Sequence, residues 1–432
     1  MIDIPLWSAY GLPLLLILLY YLRHLRQREA RSLATLQRSA ETGLTDPPSL
    51  HPVVDHNICM GSGACVRACP EGTLGIVNGK AHLINPTVCI GHGACAAACP
   101  VEAIKLVFGS ERRGVDIPYV KPDFETNVPG IYIAGELGGM GLIRKAAEQG
   151  RQAIASIAKK RAQGDQLDVL IVGAGPAGLS ATLAAMEQKL KFVTIEQEDS
   201  LGGTVYHYPR NKIVLTQPIT LPIIGKAKLG EISKESLLQF WQGIVERVRV
   251  PISYGERVEK IMAAEHGIRV NTGRREYYAR SVLLAIGRRG TPRKLGVAGE
   301  DLPKVVYRLV DSEQYRGKHV LVVGGGDSAI EAAVAIAGED GTTVALSYRG
   351  VAFGRIKTKN RERLEETLLH RKLQVLLDSN VISITGEAVE LEQKGRQFSL
   401  ENDAVIVCAG GILPTPMLKE VGIIVETKFG TA

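Results

Sequence analysis

Two short cysteine-rich runs, which begin thirty residues apart, constrain this chain more than any other feature of its sequence. The first is CMGSGACVRACP at residues 59–70, and the second is CIGHGACAAACP at residues 89–100. Each run carries three thiols on a glycine-rich loop and ends at a proline. Glycine lets such a loop curl around inorganic sulfide, and proline turns the chain away after the last thiol. The runs therefore predict two iron–sulfur cluster sites.

The runs resemble those of bacterial two-cluster ferredoxins over about residues 50–108. That family uses the pattern C-x2-C-x2-C-x3-C-P twice, and the last cysteine of each run binds the cluster of the other run. In this chain the second cysteine is replaced by Ser62 in the first run and by His92 in the second. By the crossed pattern, the implied metal ligands are Cys59, Cys65 and Cys99 at one site, and Cys89, Cys95, Cys69 and His92 at the other.

The two replaced corners leave the cluster type open. Each site accommodates a three-iron cluster (3Fe-4S), or a four-iron cluster (4Fe-4S) whose last corner takes an oxygen, an imidazole or an outside ligand. The loss of one cluster is a further alternative. A zinc site or a set of disulfides fits poorly with a duplicated glycine-rich run that ends in Cys-Pro.

An uncharged apolar stretch of 19 residues lies near the N-terminus, at residues 4–22. A helix needs about 20 apolar residues to cross a bilayer. Four arginines follow the stretch, and basic residues favour the cytoplasmic side of a membrane. They are Arg23, Arg26, Arg28 and Arg31. The sequence therefore predicts a single-pass membrane protein whose N-terminal helix contacts lipid and whose remainder is cytoplasmic. A helix that lies on the membrane surface is the alternative.

Residues 168–178, DVLIVGAGPAG, are typical of a strand, a glycine turn and the start of a helix. This is the G-x-G-x-x-G pattern in the context that binds a dinucleotide pyrophosphate. The next strand, KFVTIE, ends in Glu196, where an acid accepts hydrogen bonds from a ribose. The predicted cofactor-binding residues of this unit are Gly173, Gly175, Pro176, Ala177, Gly178, Glu196 and Gly203.

A second unit of the same kind follows at residues 318–329, KHVLVVGGGDSA, with alanine at the third glycine position. Its next strand ends in Ser347-Tyr348-Arg349 and carries no acid. Basic groups without an acid favour the 2′-phosphate of NADP. If these charges are only a solvated surface, NAD serves instead. The predicted contacts are Gly324, Gly326, Ser328, Arg349 and Arg355.

Together the two units resemble the FAD and NADPH domains of thioredoxin-reductase-like flavoproteins. The segment LLAIGRRGTP at residues 283–292 resembles the crossover of that family, and residues 201–240 resemble its bacillithiol-disulfide-reductase-like members. The resemblance covers nearly everything after residue 106, and it implies FAD, NADPH and a homodimer. The C-x-x-C pair of thioredoxin reductases is missing from the NADPH unit, which excludes a dithiol relay.

One motif stands out of order. Residues 126–150 resemble the last FAD motif of that family, which normally lies near the C-terminus, yet here they precede the first glycine-rich unit. The C-terminal residues resemble the stretch that normally comes just before that motif. The order predicts a circular permutation, with a segment swap between two subunits as the alternative. The resemblance implies flavin contacts at Gly135, at Glu136, which replaces the aspartate of the family, and at Ile143.

These patterns predict an α/β protein with two Rossmann-like dinucleotide-binding domains, a small α+β ferredoxin domain and one transmembrane helix. The expected boundaries are 1–31 for the anchor and its basic flank, 32–49 for a linker, 50–108 for the ferredoxin-like domain, 109–295 for the permuted FAD domain, 296–410 for the NADPH domain and 411–432 for the return to the FAD domain.

The expected function is a membrane-anchored oxidoreductase that passes electrons from NADPH through FAD to the clusters and on to an acceptor. No side chain is assigned a catalytic role, because the cofactors carry the chemistry. The acceptor or donor is an unidentified protein or a quinone. The alternatives are a ferredoxin:NADP reductase with flow toward NADPH, and a redox or oxygen sensor with labile clusters. The net charge of +7 alone gives no support to nucleic-acid binding.

Overall fold

The computed structural model divides the chain into two compact units, Met1–Gly114 with Phe429–Ala432, and Val115–Lys428. The structure describes residues 6–41, 47, 50–89, 91, 93–110, 114–139, 141–160, 162, 166–208, 213–215, 218–227, 229–288, 290–353, 356, 358–370 and 373–430.

The first unit contains a long helix and two small antiparallel ladders. Its elements are α1 (Leu6–Glu41), β1 (His51–Val54), α2 (Ala64–Ala68), β2 (Leu74–Val77), β3 (Lys80–Leu83), α3 (Ala94–Ala97) and β4 (Ile104–Val107). Strand β1 pairs with β4, and β2 pairs with β3 across the turn Asn78-Gly79. Both turn residues have positive φ, as a tight Asn-Gly hairpin requires. The two cysteine runs thus form equivalent loops that lead into α2 and α3.

The second half of α1 packs on the β2–β3 hairpin. Glu29 Oε1 accepts the Gly79 N–H at 3.3 Å, and Ser39 Oγ donates to the Ile84 carbonyl at 2.9 Å. A side chain at Gly75 would bring its Cβ to 2.6 Å from Ser32 Oγ, so glycine is what allows the helix to approach. Residues 32–41, which the sequence suggested as the start of a linker, are therefore helical and docked, because these contacts fix them.

The expected transmembrane helix at residues 4–22 is not found. No helix in the described part of the chain, which begins at Leu6, is long and apolar enough to cross a membrane. Beyond Leu22, α1 continues as a charged helix.

The second unit begins with the sheet that carries the first glycine-rich turn. The elements are β5 (Val115–Pro118), β6 (Ile131–Ile133), α4 (Ile143–Ile157), β7 (Leu167–Val172), α5 (Pro176–Glu187), β8 (Phe192–Glu196), β9 (Ile213–Leu215), β10 (Ile219–Leu221), β11 (Gly225–Ala227), β12 (Ile232–Ser233), α6 (Lys234–Val248), β13 (Ser253–Tyr254), β14 (Lys260–Ala264), β15 (Gly267–Asn271) and β16 (Glu276–Leu284). The strand order is β13-β8-β7-β16-β15-β14, and β6 also pairs with β16. Strands β13, β8, β7, β16 and β6 run parallel to one another, as in dinucleotide-binding folds, and β15 joins β16 antiparallel.

A second parallel sheet carries the other glycine-rich turn. The remaining elements are β17 (Thr291–Pro292), β18 (Val305–Val306), β19 (His319–Val323), α7 (Asp327–Ala337), β20 (Thr343–Tyr348), α8 (Thr358–Leu369), β21 (Leu373–Leu377), β22 (Ser379–Ile384), β23 (Ala388–Gln393), β24 (Arg396–Glu401), β25 (Ala404–Val407), β26 (Gly411–Ile412), α9 (Thr415–Glu420) and β27 (Val425–Lys428). The sheet order is β18-β25-β19-β20-β21, and β22-β23-β24 form a separate meander. The expected α/β architecture is confirmed for this unit.

Segments from both ends of the second unit complete its first sheet. Strand β6 lies before the glycine-rich turn in sequence, yet it pairs with β16. Strand β27 pairs antiparallel with β5. The Asn127 side chain donates to the Gly422 carbonyl and accepts from the Ile424 N–H, both at 2.9 Å. Residues far apart in sequence are thus held together at this edge.

Candidate flavin, nicotinamide and iron–sulfur sites

Two cavities in the first unit are lined by the cysteine runs. Cys59, Cys65 and Cys99 line the first cavity together with Ser62. The second cavity is lined by Cys69, Cys89 and Cys95, with Thr73, Gly91 and Gly93 beside them. Each cavity therefore takes two thiols from one run and the third from the other. This is the crossed set that the ferredoxin resemblance implied.

Positive backbone angles at the loop glycines shape both cavities. Gly61 and Gly63 have φ of 70° and 66°, and Gly91 and Gly93 both have φ of 74°. A side chain at Gly61 would overlap the Gly79 carbonyl. The loops therefore fold tightly against the rest of the unit, and each delivers its second thiol from the short helix that follows.

The thiols fit a cluster better than a single ion. No three His, Cys, Asp or Glu side chains within the described residues converge on one metal position. A cluster spreads its thiolates over different irons, which matches three thiols around a shared cavity. None of the six cysteines of the runs forms a disulfide. His92 lies outside the described residues.

Burial makes these thiols depend on a metal for ionisation. It raises the pKa of Cys95 to about 11 and raises the pKa of Cys65 and of Cys89, with neighbouring thiols adding to the effect. The backbone already presents hydrogen-bond donors to sulfur, since the Ala103 N–H lies 3.2 Å from Cys99 Sγ. A cationic iron centre supplies the missing stabilisation of the thiolates.

The first glycine-rich turn forms a cradle at the carboxyl end of β7. Gly173 has φ of 105°, and a side chain at Gly178 would overlap the Gly173 carbonyl, so α5 lies directly against the turn. A Cβ at Gly175 would meet nothing closer than 3.9 Å, and Gly203 lies next to it. Pro176 opens α5, followed by the buried Ala177. The open space at Gly175 fits the close approach of a pyrophosphate.

Glu196 is buried at the end of β8, beside this cradle. Its carboxylate accepts the Ala174 N–H at 2.7 Å and the Glu198 N–H at 3.1 Å. Burial raises the pKa of Glu196, and the backbone donors oppose that shift. The carboxylate is therefore held in place at the position where an acid accepts ribose hydroxyl groups.

The out-of-order segment reaches the same cradle. Gly135 has φ of 85° and donates its N–H to Gln149 Oε1 at 2.8 Å, and its missing Cβ would lie 3.0 Å from that of Ala177. Burial raises the pKa of Glu136, and the nearby Arg288 guanidinium opposes the shift. Ile143 is the first residue of α4. The structure thus brings the flavin-motif residues from both parts of the chain together.

The second glycine-rich turn repeats the register of the first. Gly173 N–H donates to Ile195 O at 2.8 Å, and Gly324 N–H donates to Ser347 O at 2.9 Å. By this register, Tyr348 occupies the position that Glu196 occupies in the first unit. A side chain at Gly325 would overlap the Tyr348 ring. Sequence reasoning noted the missing acid but overlooked the role of Tyr348, which aligning the two strands would have revealed.

Around this turn, Gly326, Ser328 and Arg349 are exposed, and a Cβ at Gly326 would meet nothing within 4 Å. Tyr348 stacks on Phe353 with the ring centroids 5.4 Å apart. Arg361 Nη2 donates to the Phe353 carbonyl at 2.7 Å, so Arg361 supports this loop. The predicted contact Arg355 lies outside the described residues.

Comparisons with known families also separate the part of the chain that carries the cysteine runs from the part that carries the glycine-rich turns. Residues 170–430 match the family described as pyridine nucleotide-disulphide oxidoreductase. Residues 51–100 match the 4Fe-4S dicluster domain. The match over residues 170–430 covers more than half of the chain, and the match over residues 51–100 spans both cysteine runs.

Several characterised proteins resemble the chain. A ferredoxin–NADP reductase of Pediococcus pentosaceus is 30% identical over 54% of this chain and 69% of its own length. Another, from Ignicoccus hospitalis, is 29% identical over 56% of this chain and 76% of its own length. The structure of bacillithiol disulfide reductase Bdr from Staphylococcus aureus matches with a TM-score of 0.52 at 24% identity, over 61% of this chain and 82% of that one. This structural match shows a shared fold.

The matched families, the cradle at Gly175 and the crossed thiol cavities account for one set of cofactors: FAD, NADPH and iron–sulfur clusters. The chain therefore belongs to the pyridine nucleotide-disulphide oxidoreductase family, as an NAD(P)H-dependent FAD oxidoreductase that carries a 4Fe-4S dicluster domain.

Proposed function

We propose that the chain takes electrons from NADPH, through FAD, to both clusters and then to a separate acceptor. The observation that carries this proposal is the pair of three-thiol cavities joined in one chain to a flavin cradle. Only Cys408 lies outside the two cysteine runs. The chain therefore lacks a second thiol for a disulfide exchange at the nicotinamide unit, and the clusters are the remaining route for electrons.

The residues of the cradle bind and orient the cofactors. The Gly173–Gly178 turn leaves room for the pyrophosphate of FAD, and Glu196 accepts hydrogen bonds from its ribose. Arg349, at the end of β20, supplies positive charge for the 2′-phosphate of NADPH. When bound, FAD supplies the exchange between a two-electron hydride donor and one-electron carriers.

The flow of electrons toward NADPH is the second candidate. It is favoured by the relatives named ferredoxin–NADP reductase, which match the flavoprotein part of this chain. In that case the fused clusters take the place of a separate ferredoxin. The two directions differ in whether the clusters are filled by NADPH or emptied by NADP⁺.

Rapid-freeze EPR on anaerobically purified protein separates these candidates. Iron, sulfide and flavin analysis first establishes loading. Reduction of both clusters by NADPH within one second supports outward flow, and NADP⁺ reduction by prereduced clusters supports the reverse. Fully loaded clusters that stay oxidised in excess NADPH contradict the outward proposal and favour a sensor. A Cys95→Ser variant is the matched control, since it removes one ligand of the second cavity only.

We also infer that the chain order is a circular permutation. The supporting contacts are the pairing of β6 with β16, the pairing of β27 with β5 and the bonds of Asn127 to the residues between α9 and β27. These contacts place the segment against the sheet of its own chain, which is the arrangement that a permutation requires. Moving residues 115–160 to the C-terminus should give a folded, flavin-binding protein. Loss of flavin from that variant would contradict the inference.

We further propose attachment to a membrane surface, a cytoplasmic catalytic part and a homodimer. Leu12, Leu14–Leu19, Tyr20 and Tyr21 are exposed along α1, and the arginines that follow suit anionic lipid headgroups. In flotation with anionic vesicles, the full chain should float with the lipid, and a variant lacking residues 1–22 should stay in the bottom fraction.

The homodimer is tested by sedimentation analysis of the same variant, and a monomer at micromolar concentration would exclude it.

A further inference from the structure

The two cysteine runs form an internal repeat that differs around the replaced cysteine. When the two runs are aligned, their cysteines and loop glycines coincide, but Ser62 aligns with His92, and Arg67 aligns with Ala97. Arg67 and Ala97 are both exposed on their short helices. The run that offers a hydroxyl at the fourth corner therefore also carries a cation two residues after Cys65, and the run that offers an imidazole does not.

The Ser62 hydroxyl is engaged in its own loop. It accepts the Ala64 N–H at 3.4 Å, which is a local serine turn at the start of α2. A neutral hydroxyl is also a weak iron ligand, since it must lose its proton to match a thiolate. Ser62 is exposed at the rim of the Cys59 cavity. The fourth corner of this cavity is therefore accessible from solution.

Arg67 places a positive charge beside that rim. Its Nη1 donates to the Ser62 carbonyl at 3.3 Å and lies 3.4 Å from the position that a Cβ of Gly63 would take. Within the described residues, no carboxylate forms an ion pair with Arg67. A cation with no anionic partner, next to an open corner between three thiols, favours a small anion there.

We propose that the site of Cys59, Cys65 and Cys99 binds a small carboxylate from solution at the iron that lacks a thiolate, with Arg67 as its counter-ion. The site of Cys89, Cys95 and Cys69 should not, because the sequence of the second run offers the imidazole of His92 where the first run has Ser62. This inference rests on the proposed function, since it requires a loaded cluster. It makes one of the two clusters a ligand-binding site as well as an electron carrier.

The test uses the full chain, purified anaerobically, reduced with dithionite and titrated with ¹³C-formate. One of the two cluster EPR signals should shift, and electron–nuclear double resonance should show a ¹³C coupling on that signal. Ser62→Cys should abolish the response by supplying a fourth thiolate. Arg67→Met should weaken formate binding roughly fivefold, the scale of an exposed ion pair. Ala97→Met, the same position in the second run, should leave binding unchanged.

Three outcomes overturn the proposal. Two loaded clusters with no ¹³C coupling in saturating formate show that no carboxylate binds. A Ser62→Ala variant whose formate-free spectrum differs from that of the wild type shows that serine itself is the ligand. A three-iron cluster at the site of Cys59, Cys65 and Cys99 that takes up no fourth iron lacks the iron to which the carboxylate would bind. Protein that binds no iron overturns the proposed function as well, so the two failures are distinguishable by iron analysis.

Discussion

The two glycine-rich units share one backbone register, in which the first glycine donates its N–H to the following strand. They differ in the side chain at the end of that strand, which is Glu196 in the flavin unit and Tyr348 in the nicotinamide unit. In the flavin unit, Glu196 accepts the N–H of Ala174. In the nicotinamide unit, Tyr348 takes the position of the acid, and its ring covers Gly325. The Glu196 carboxylate needs only a backbone N–H that donates to it, whereas the Tyr348 ring needs a neighbouring residue that has no Cβ. In this chain the acid of the flavin unit faces Ala174, and the ring of the nicotinamide unit faces Gly325.

The third glycine position differs as well. Gly178 leaves no room for a methyl group, because a Cβ there would overlap the Gly173 carbonyl. Ala329 takes the same position in the nicotinamide unit and is fully buried. Helix α5 thus lies closer to its turn than α7 does, and the flavin unit is the less tolerant of the two.

The largest expected effect is that of Gly178→Ala. The added methyl forces α5 away from β7, which should cost about 3 kcal/mol or more of unfolding free energy and release FAD. Denaturant unfolding and flavin content measure both. Gly175→Ala is the control, because its Cβ meets nothing closer than 3.9 Å. The control should fold normally and lose flavin affinity only. An unchanged unfolding midpoint for Gly178→Ala would contradict the close packing.

Tyr348→Glu should reverse the cofactor preference. The new carboxylate repels the 2′-phosphate of NADPH and accepts hydrogen bonds from the free ribose of NADH, as an acid does in the flavin unit. We expect kcat/KM for NADPH to fall roughly 100-fold, in line with about 3 kcal/mol for a charged partner, and kcat/KM for NADH to be kept. Steady-state kinetics with both cofactors measure the ratio. Tyr348→Phe keeps the ring and should retain the preference; an unchanged ratio in Tyr348→Glu rules the assignment out.

A smaller effect is expected for Arg349→Ala. Arg349 is exposed, so its attraction to the 2′-phosphate is screened, and KM for NADPH should rise roughly fivefold. KM for NADH should not change, because NADH lacks that phosphate. Arg363→Ala, which changes another exposed arginine, on α8, serves as the control. Equal changes for both cofactors would show that Arg349 acts on the fold instead.

The smallest effect concerns pH. Burial raises the pKa of Glu196 above its ordinary value of 4.5, so the ionised carboxylate costs the flavin-free protein stability. The stabilising contribution of the protonated form is complete below pH 4.5 and is lost as the pH rises through the raised value. Glu196→Gln should therefore gain Tm relative to the wild type over that range. The exposed Glu401→Gln is the control for removal of a carboxylate elsewhere on the protein. Tm curves of Glu196→Gln and the wild type that run parallel over that pH range would contradict the raised pKa.

The motif residues were predictable because each motif is local. Glycine spacing alone located the turns at Gly173 and Gly324, and run spacing alone located the thiols. Contacts between distant segments were not predictable in this way. Asn127 bonds to Gly422 and Ile424, and Ser32 packs at Gly75, only because the tertiary fold brings these segments together. The prediction of a transmembrane helix was wrong for the described residues, and the apolar stretch is instead the first part of a longer helix whose second half contacts the β2–β3 hairpin.

That docked helix also sets a distance. Glu29 holds the hairpin tip beside the Cys59 loop, and Ser39 holds the opposite end of the hairpin, near Thr73 and the other cavity. The exposed apolar stretch ends at Leu22. At 1.5 Å per residue, Glu29 follows it by about 10 Å and Ser39 by about 26 Å. Along the axis of α1, the Cys59 cavity therefore lies nearer to the apolar stretch than the other cavity does, so the helix spaces the two cluster sites unequally from that stretch.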